Sequence, residues 1–290
     1  MIPLSKILLP VDFSERCLGA ARYAASLAAH FDARIALAHV VEPLRYDFGE
    51  MEFAGGVANE VMQSRVALAR RQLDAFLGPE LASVRVDRVL LEGDPARRIV
   101  EYAHEGQAGL IAMPTHGYGP FRRFILGSVT AKVLHDADCP VLTGVHLEGA
   151  PEHAPVVFRN ILCAVDLGPQ SRKTLCWASQ MAAEFGARLL LAHAVPSIEA
   201  RPGEYFDHSL AEEVSRGARA ELAHLLEEMR VEAETAVEGG DPPRVVCRLA
   251  EERKADLLVI GRGSAAGLFG RLRTNAYAII RQSPCAVVSV

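Results

Sequence analysis

Apolar residues along this chain change their spacing in a fixed alternation. "KILLPV", near the start, is a short continuous apolar run, the pattern of a strand buried on both faces. "ERCLGAARYAASLAAHF" follows, rich in Ala and with its apolar residues at helical spacing. "ARIALAHVV" reads as a second strand. "NEVMQSRVALARRQLDAFLGPE" reads as a long amphipathic helix that Gly78 and Pro79 should stop. "VRVDRVLLEG" is a third strand, and Asp94 and Pro95 should cap and open the helix "DPARRIVEYAHEG". "AGLIAM" is a fourth strand. After it come the loop "MPTHGYGPFRRFILGS", the helix "SVTAKVLHDA" and a last strand, "CPVLTGV". Strand–helix alternation of this kind predicts a parallel sheet covered on both faces. In such sheets ligands bind beyond the carboxyl ends of the strands, where the strand order reverses.

The whole pattern then runs a second time. "NILCAVDLGPQSRKTLCWASQMAAEFGARLLLAHAVPS" repeats the opening, with Asp166 for Asp12 and His193 for His39 at one constant offset. "GGDPPRVVCRLAEERKADLLVI" repeats "EGDPARRIVEYAHEGQAGLIAM", and "SPCAVVSV" repeats "DCPVLTGV". Internal repetition at this period means two copies of one module. The expected fold is α/β: two tandem five-stranded parallel-sheet domains sandwiched by helices, over residues 1–147 and 156–290. "HLEGAPEHAP" is the expected linker.

Composition narrows the partners. The net charge of −5 gives no general attraction to nucleic acid or to an anionic membrane, so neither is expected as a partner and any anion site must be local. The opening "MIPLSKILLPVDFS" lacks a signal-peptide pattern, and no run approaches the ~18 apolar residues of a membrane span, so a cytoplasmic address is expected. Cys17, Cys139, Cys163, Cys176, Cys247 and Cys285 form no CxxC pair and no zinc-ligand spacing. They read as buried free thiols in a reducing compartment. His39 and His193, at strand ends without a cluster of acidic or thiol ligands, read as structural residues.

The loop after the fourth strand carries the chemistry. "KILLPVDFSE", the "AHV" strand end, the "GDP" helix start and "MPTHGYGPFRRFILGSVTAKVLHDADCPVL" together resemble the universal stress protein family, and the resemblance covers both halves. It implies an adenine-nucleotide site built on G-x2-G-x9-G-[S/T], which here falls on Pro114, Gly117, Gly127 and Ser128, with proline in place of the first glycine. Glycines without Cβ let backbone N–H groups approach phosphate closely, and a helix opening at Ser128 and Val129 offers free N–H groups and a positive dipole end. The resemblance further implies a site that includes Pro10 and Val11, ribose hydroxyls at Asp12, the adenine edge at the Val40 backbone, and Met113 lining the base pocket. Asp12 is also placed to cap the first helix, with Ser14 as a competing cap. Pro114 removes a donor and fixes φ near −65°, which should weaken binding without abolishing it. His116 could touch phosphate or assist proton transfer, or be an ordinary surface-loop histidine. Arg122 and Arg123 could screen phosphate or form a solvated pair.

In the second copy the corresponding loop is "IGRGSAAGLFGRLRTNAYAII". Gly261 keeps the first glycine, but Ser264 stands for Gly117, and Arg273 and Thr274 for Gly127 and Ser128. Pro10 has become Ala164. A degenerate site is expected there, the alternative being an anion geometry with donors from Arg262, Arg271 or Arg273.

The expected function is a stress-response sensor or regulator that binds ATP (or ADP or AMP, with Mg2+ accompanying the phosphates) in the first copy. Cyclic AMP is a further ligand the resemblance allows. A slow ATPase is the enzymatic alternative, but no G-x4-G-K-[ST] occurs and no in-line base beyond His116 or Asp12 is evident. A non-nucleotide interaction module is the third reading. By resemblance the two copies should pair as an intramolecular pseudo-dimer through their last strands, and a homodimer of tandem chains is allowed.

Overall fold

The computed structural model describes residues 4–43, 55–115, 126–144, 147, 155–195, 208–262 and 271–290, with backbone alone at 55–58, 208–210 and 271–274. Two compact units emerge. One holds Pro3–Val141 and Glu148–Val156, the other Leu142–Leu147 and Val157–Val290.

The first copy runs β1 (Lys6–Pro10), α1 (Cys17–Phe31), β2 (Arg34–Val41), α2 (Gly55–Ala75), β3 (Arg85–Glu92), α3 (Pro95–Glu105), β4 (Leu110–Ala112), α4 (Ser128–Asp136) and β5 (Val141–Thr143). Its strand order is β3-β2-β1-β4-β5. β1 therefore lies between β2 and β4, both parallel to it, with Leu8 opposite Ala36 on one side and Ile111 on the other. That position explains the continuous apolar run: Ile7, Leu8 and Leu9 are wholly buried, as are Ile35, Leu37, Leu110 and Ile111 around them. β3 pairs with β2 alone in this order and carries alternating exposed positions.

The second copy repeats the plan with β6 (Asn160–Ala164), α5 (Ser171–Phe185), β7 (Arg188–Val195), α6 (His208–Met229), β8 (Glu234–Gly239), α7 (Pro242–Glu252), β9 (Leu257–Ile260), α8 (Arg271–Gln282) and β10 (Ala286–Ser289). Its strands lie in the order β10-β9-β6-β7-β8, parallel to their neighbours. Both copies thus have the α/β plan the alternation implies.

Local signals act where they were placed, with two exceptions. Asp94 caps α3: it is extended, its Oδ1 accepts from the Arg97 N–H at 3.0 Å, and Pro95 follows at the first helical position. α2, however, ends at Ala75, before Gly78 and Pro79. Leu77 takes the left-handed turn at φ 54°, and the Arg88 guanidinium reaches over from β3 to donate to the carbonyls of Leu73 (2.5 Å) and Phe76 (2.8 Å). A distant cation satisfies the carbonyls at this helix end, which no local pattern could foretell. The second exception, at the start of α1, belongs to the site. Among the described residues no helix is long and apolar enough to cross a membrane.

Candidate functional site

The strand order reverses at β1: β2 follows on one side and β4 lies on the other. This is where a doubly wound sheet opens a crevice beyond its carboxyl ends. Pro10 closes β1, opposite Ala38, and the Val11 N–H makes one last bond to the Ala38 carbonyl at 2.8 Å. The chain then turns through Phe13 at φ 64°. Asp12 holds that turn together. Its Oδ1 accepts from the Ser14 N–H (3.0 Å), the Ser14 hydroxyl (2.6 Å) and the Cys17 thiol (3.2 Å). This is a carboxylate folded back on its own backbone. The capping expectation is therefore corrected: α1 has Arg16 at its N-cap with no side-chain cap bond, and neither Asp12 nor Ser14 serves it.

A histidine fixes the same turn from β2. His39 Nδ1 lies 2.8 Å from the Val11 carbonyl, which can only accept, so Nδ1 carries the proton. The His39 ring lies against Phe13 at 4.2 Å between centroids, and Phe13 meets Phe76 edge-on at 5.3 Å. Val40, half-buried, follows His39 in β2. Burial, together with the neighbouring Asp12 charge, pushes the Cys17 thiol up to about 12. It stays protonated and is inert at neutral pH.

Beyond β4, Met113 and Thr115 are buried and Pro114 is half-buried. Two bonds bring the start of α4 to this strand end. The Gly127 N–H donates to the Thr115 carbonyl at 2.8 Å, and the Thr130 hydroxyl donates to the Pro114 carbonyl at 3.1 Å. Gly127 is the N-cap, at φ −62° and ψ 148°, a conformation open to any residue. Its own N–H is spent on the Thr115 carbonyl. What it leaves is a position without a side chain. α4 has no side-chain cap, and its first helical bond is from the Ala131 N–H to the Gly127 carbonyl at 2.8 Å. The N–H groups of Ser128 and Val129 are therefore the open donors of the helix. Pro10, Val11, Asp12, Val40, Met113, Pro114, Gly127, Ser128 and Val129 thus all sit at the ends of β1, β2 and β4 or on the helix tied to β4. His116, Gly117, Arg122 and Arg123 lie outside the described residues.

The second copy keeps the frame. The Val165 N–H bonds the Ala192 carbonyl at 3.0 Å, and His193 Nδ1 donates to the Val165 carbonyl at 2.9 Å. Leu167 turns the chain at φ 58°, and Asp166 Oδ1 accepts from the Gly168 N–H (2.9 Å) and the Ser171 hydroxyl (3.2 Å). Gly261 packs tightly: a Cβ there would lie 3.0 Å from the Thr174 hydroxyl. Arg273 and Thr274 are inside α8, not at its mouth. Ser264 lies outside the described residues. A cavity of about 250 Å³ opens at the ends of β6, β7 and β9. The imidazole bonds to Val11 and Val165 were not foreseen, although histidines recurring at one offset after a strand were the signal for them.

Fold and site together define a tandem pair of α/β modules, each with a switch point in its strand order at its first strand. The universal stress protein family model matches residues 3–143 and again 158–290, and the chain belongs to that family as a two-copy member. A universal stress protein of Mycolicibacterium smegmatis is 26% identical over 289 residues, covering 98% of this chain and 96% of its own length. One from Methanocaldococcus jannaschii is 34% identical over 137 residues, 47% of this chain and 79% of its own. The crystal structure of a universal stress protein from Archaeoglobus fulgidus shares the fold, with a TM-score of 0.64 at 21% identity over 98% of this chain and 95% of that one.

If the first copy holds ATP, replacing Asp12 with Ala should reduce its affinity by about 1–3 kcal/mol, the contribution of a charged acceptor. Ser14→Ala keeps the carboxylate but removes its 2.6 Å donor. It should cost about 1 kcal/mol of folding stability and less affinity than Asp12→Ala. Calorimetric titration beside thermal unfolding separates the two; equal affinity losses would mean that the turn, not the carboxylate, matters.

Proposed function

We propose that the first copy binds an adenine nucleotide, ATP foremost, and that the protein works as a sensor or regulator of the stress response rather than as a catalyst. The observation that carries this reading is the N-terminus of α4, tied to the end of β4 at the switch point, with no side-chain cap bond among the described residues at its Ser128 and Val129 donors. Asp12, held in one orientation at the end of the adjacent strand, is the acceptor a ribose needs. Val40 and Met113 supply backbone and apolar surface for a base. His116 and Gly117 would complete the phosphate loop, with Mg2+ accompanying the phosphates. Pro114 cannot donate an N–H, but its carbonyl is already engaged by Thr130, so the phosphate end of the loop keeps its anchor. ADP or AMP would use the same donors. The six cysteines, none of them in a disulfide, suit the reducing cytoplasm that we infer as its location.

The test is direct. Purified protein is denatured and the released small molecules are identified by mass spectrometry, with thermal shift on added ATP as the second readout. An adenine nucleotide at about one per chain is the expected result. Cyclic AMP in its place would change the ligand. Neither a released nucleotide nor a thermal shift would leave the protein an interaction module, and two equal nucleotide sites would contradict the asymmetry between the copies.

A further inference from the structure

Thr130 is a polar side chain buried in the first turn of α4. A helical threonine can bond the carbonyl one turn back in its own helix. This one reaches out of the helix instead: its hydroxyl donates to the Pro114 carbonyl at 3.1 Å. The next carbonyl along, that of Thr115, takes the Gly127 N–H at 2.8 Å. Two consecutive carbonyls beyond β4 thus hold the first turn of α4 from both sides, at Gly127 before Ser128 and Val129 and at Thr130 after them. A β-branched side chain has few rotamers, so the hydroxyl tie is stiff. The second copy has lost it. Ala276 stands opposite Thr130, is also buried, and has no hydroxyl to donate.

We propose that Thr130 is a positioning residue for nucleotide phosphate: it acts through the helix, fixing the place and direction of the Ser128 and Val129 N–H groups. The inference rests on the nucleotide reading of the first copy. Hydrogen bonds weaken steeply with distance and misalignment, so donors held in advance bind phosphate without an ordering cost. The ribose and base contacts belong in that reading to Asp12, Val40 and Met113, at the ends of β1, β2 and β4, and none of them passes through α4. Thr130 therefore governs the phosphate share of the affinity and leaves the nucleoside share alone. The alanine at this position in the second copy then goes with its loss of the phosphate pattern.

Calorimetry on the full chain, with ATP and separately with adenosine, tells these shares apart. Thr130→Val keeps the branched shape and removes the hydroxyl. It should weaken ATP about tenfold, the worth of one well-placed hydrogen bond, with adenosine affinity unchanged within about twofold. Thr130→Ser returns the hydroxyl and should bring ATP back to within about threefold of the parent. Thr130→Ala installs the residue that the second copy carries in the same fold, and it replaces the valine variant in the comparison should circular dichroism show that one unfolded. The inference is overturned if ATP binds the folded variants without a hydroxyl as tightly as the parent. It is equally overturned if adenosine weakens in step with ATP, or if the serine variant is as weak as the valine one, since a merely structural threonine gives those two results. A parent chain that binds no ATP overturns the nucleotide reading and this inference with it, whereas a parent that binds ATP beside variants that match it overturns this inference alone.

Discussion

Gly127→Arg is expected to abolish ATP binding while leaving the first copy folded. The backbone at Gly127 sits at φ −62° and ψ 148°, which arginine adopts without strain. Its N–H bond to Thr115 and its carbonyl bond to Ala131 involve backbone alone and survive the substitution. α4 loses no cap, because no side chain among the described residues caps it. What changes is the space in front of the Ser128 and Val129 donors. A side chain there holds phosphate oxygens away from the two N–H groups, and the hydrogen bonds fail with distance. A loss of at least about 100-fold, or about 2.8 kcal/mol, is expected by calorimetry, with an unchanged circular dichroism spectrum. Arg123→Ala should cost only about 0–1 kcal/mol, the range of a solvated ion pair. Should Gly127→Arg bind like the parent while Arg123→Ala loses everything, the loop acts as an electrostatic patch and the backbone cradle is wrong.

Stability should fall steeply as pH rises from about 9 toward 12. Burial, then the Asp12 charge, raises Cys17 from 9.0 to about 12, and burial raises Cys285 and Cys247 to about 11. Cys163, enclosed in β6, is raised further still, and Tyr102 is shifted in the same direction by burial and Asp87. A thiol raised in the folded state is protonated in both states below pH 9. Above it the unfolded chain releases the proton first, so unfolding gains free energy until the folded pKa is reached. Cys17 alone should account for a few kcal/mol across that window, on the order of 1.4 kcal/mol per pH unit. Urea unfolding at pH 7, 9 and 10.5 measures this directly. Cys17→Ala should flatten part of the decline, and an equally steep fall in that variant would remove Cys17 as its cause.

The alternation of spacing was enough to place the strands and helices, because each strand near the centre of its sheet had to be apolar on both faces. Ile7, Leu8 and Leu9 show this in β1, and Asp94 with Pro95 set the start of α3. Features made by residues far apart in the chain were not legible. The end of α2 depends on Arg88 in the next strand. The anchor of α4 depends on Thr115, and the identity of Asp12 as a turn-holder depends on donors from Ser14 and Cys17 that compete with capping. Gly127 of the glycine pattern stands at the N-cap of α4, with its own N–H engaged by the Thr115 carbonyl, a bond no local pattern announces. In the second copy, counting back from Cys285 sets Arg273 opposite Gly127, and buried Ala276, Ile279 and Ile280 then fall opposite buried Thr130, Val133 and Leu134. What the count does not reveal is that α8 begins two residues earlier, at Arg271.

The imidazole bond recurs in both halves, His39 to Val11 and His193 to Val165, although the loops beside them have diverged. A single molecule therefore carries its own matched control. A His→Gln exchange at this clasp can be made in one half and judged against the other at identical concentration, temperature and age. What differs between the halves then belongs to their contents, and what stays common belongs to the scaffold they inherited from the duplication.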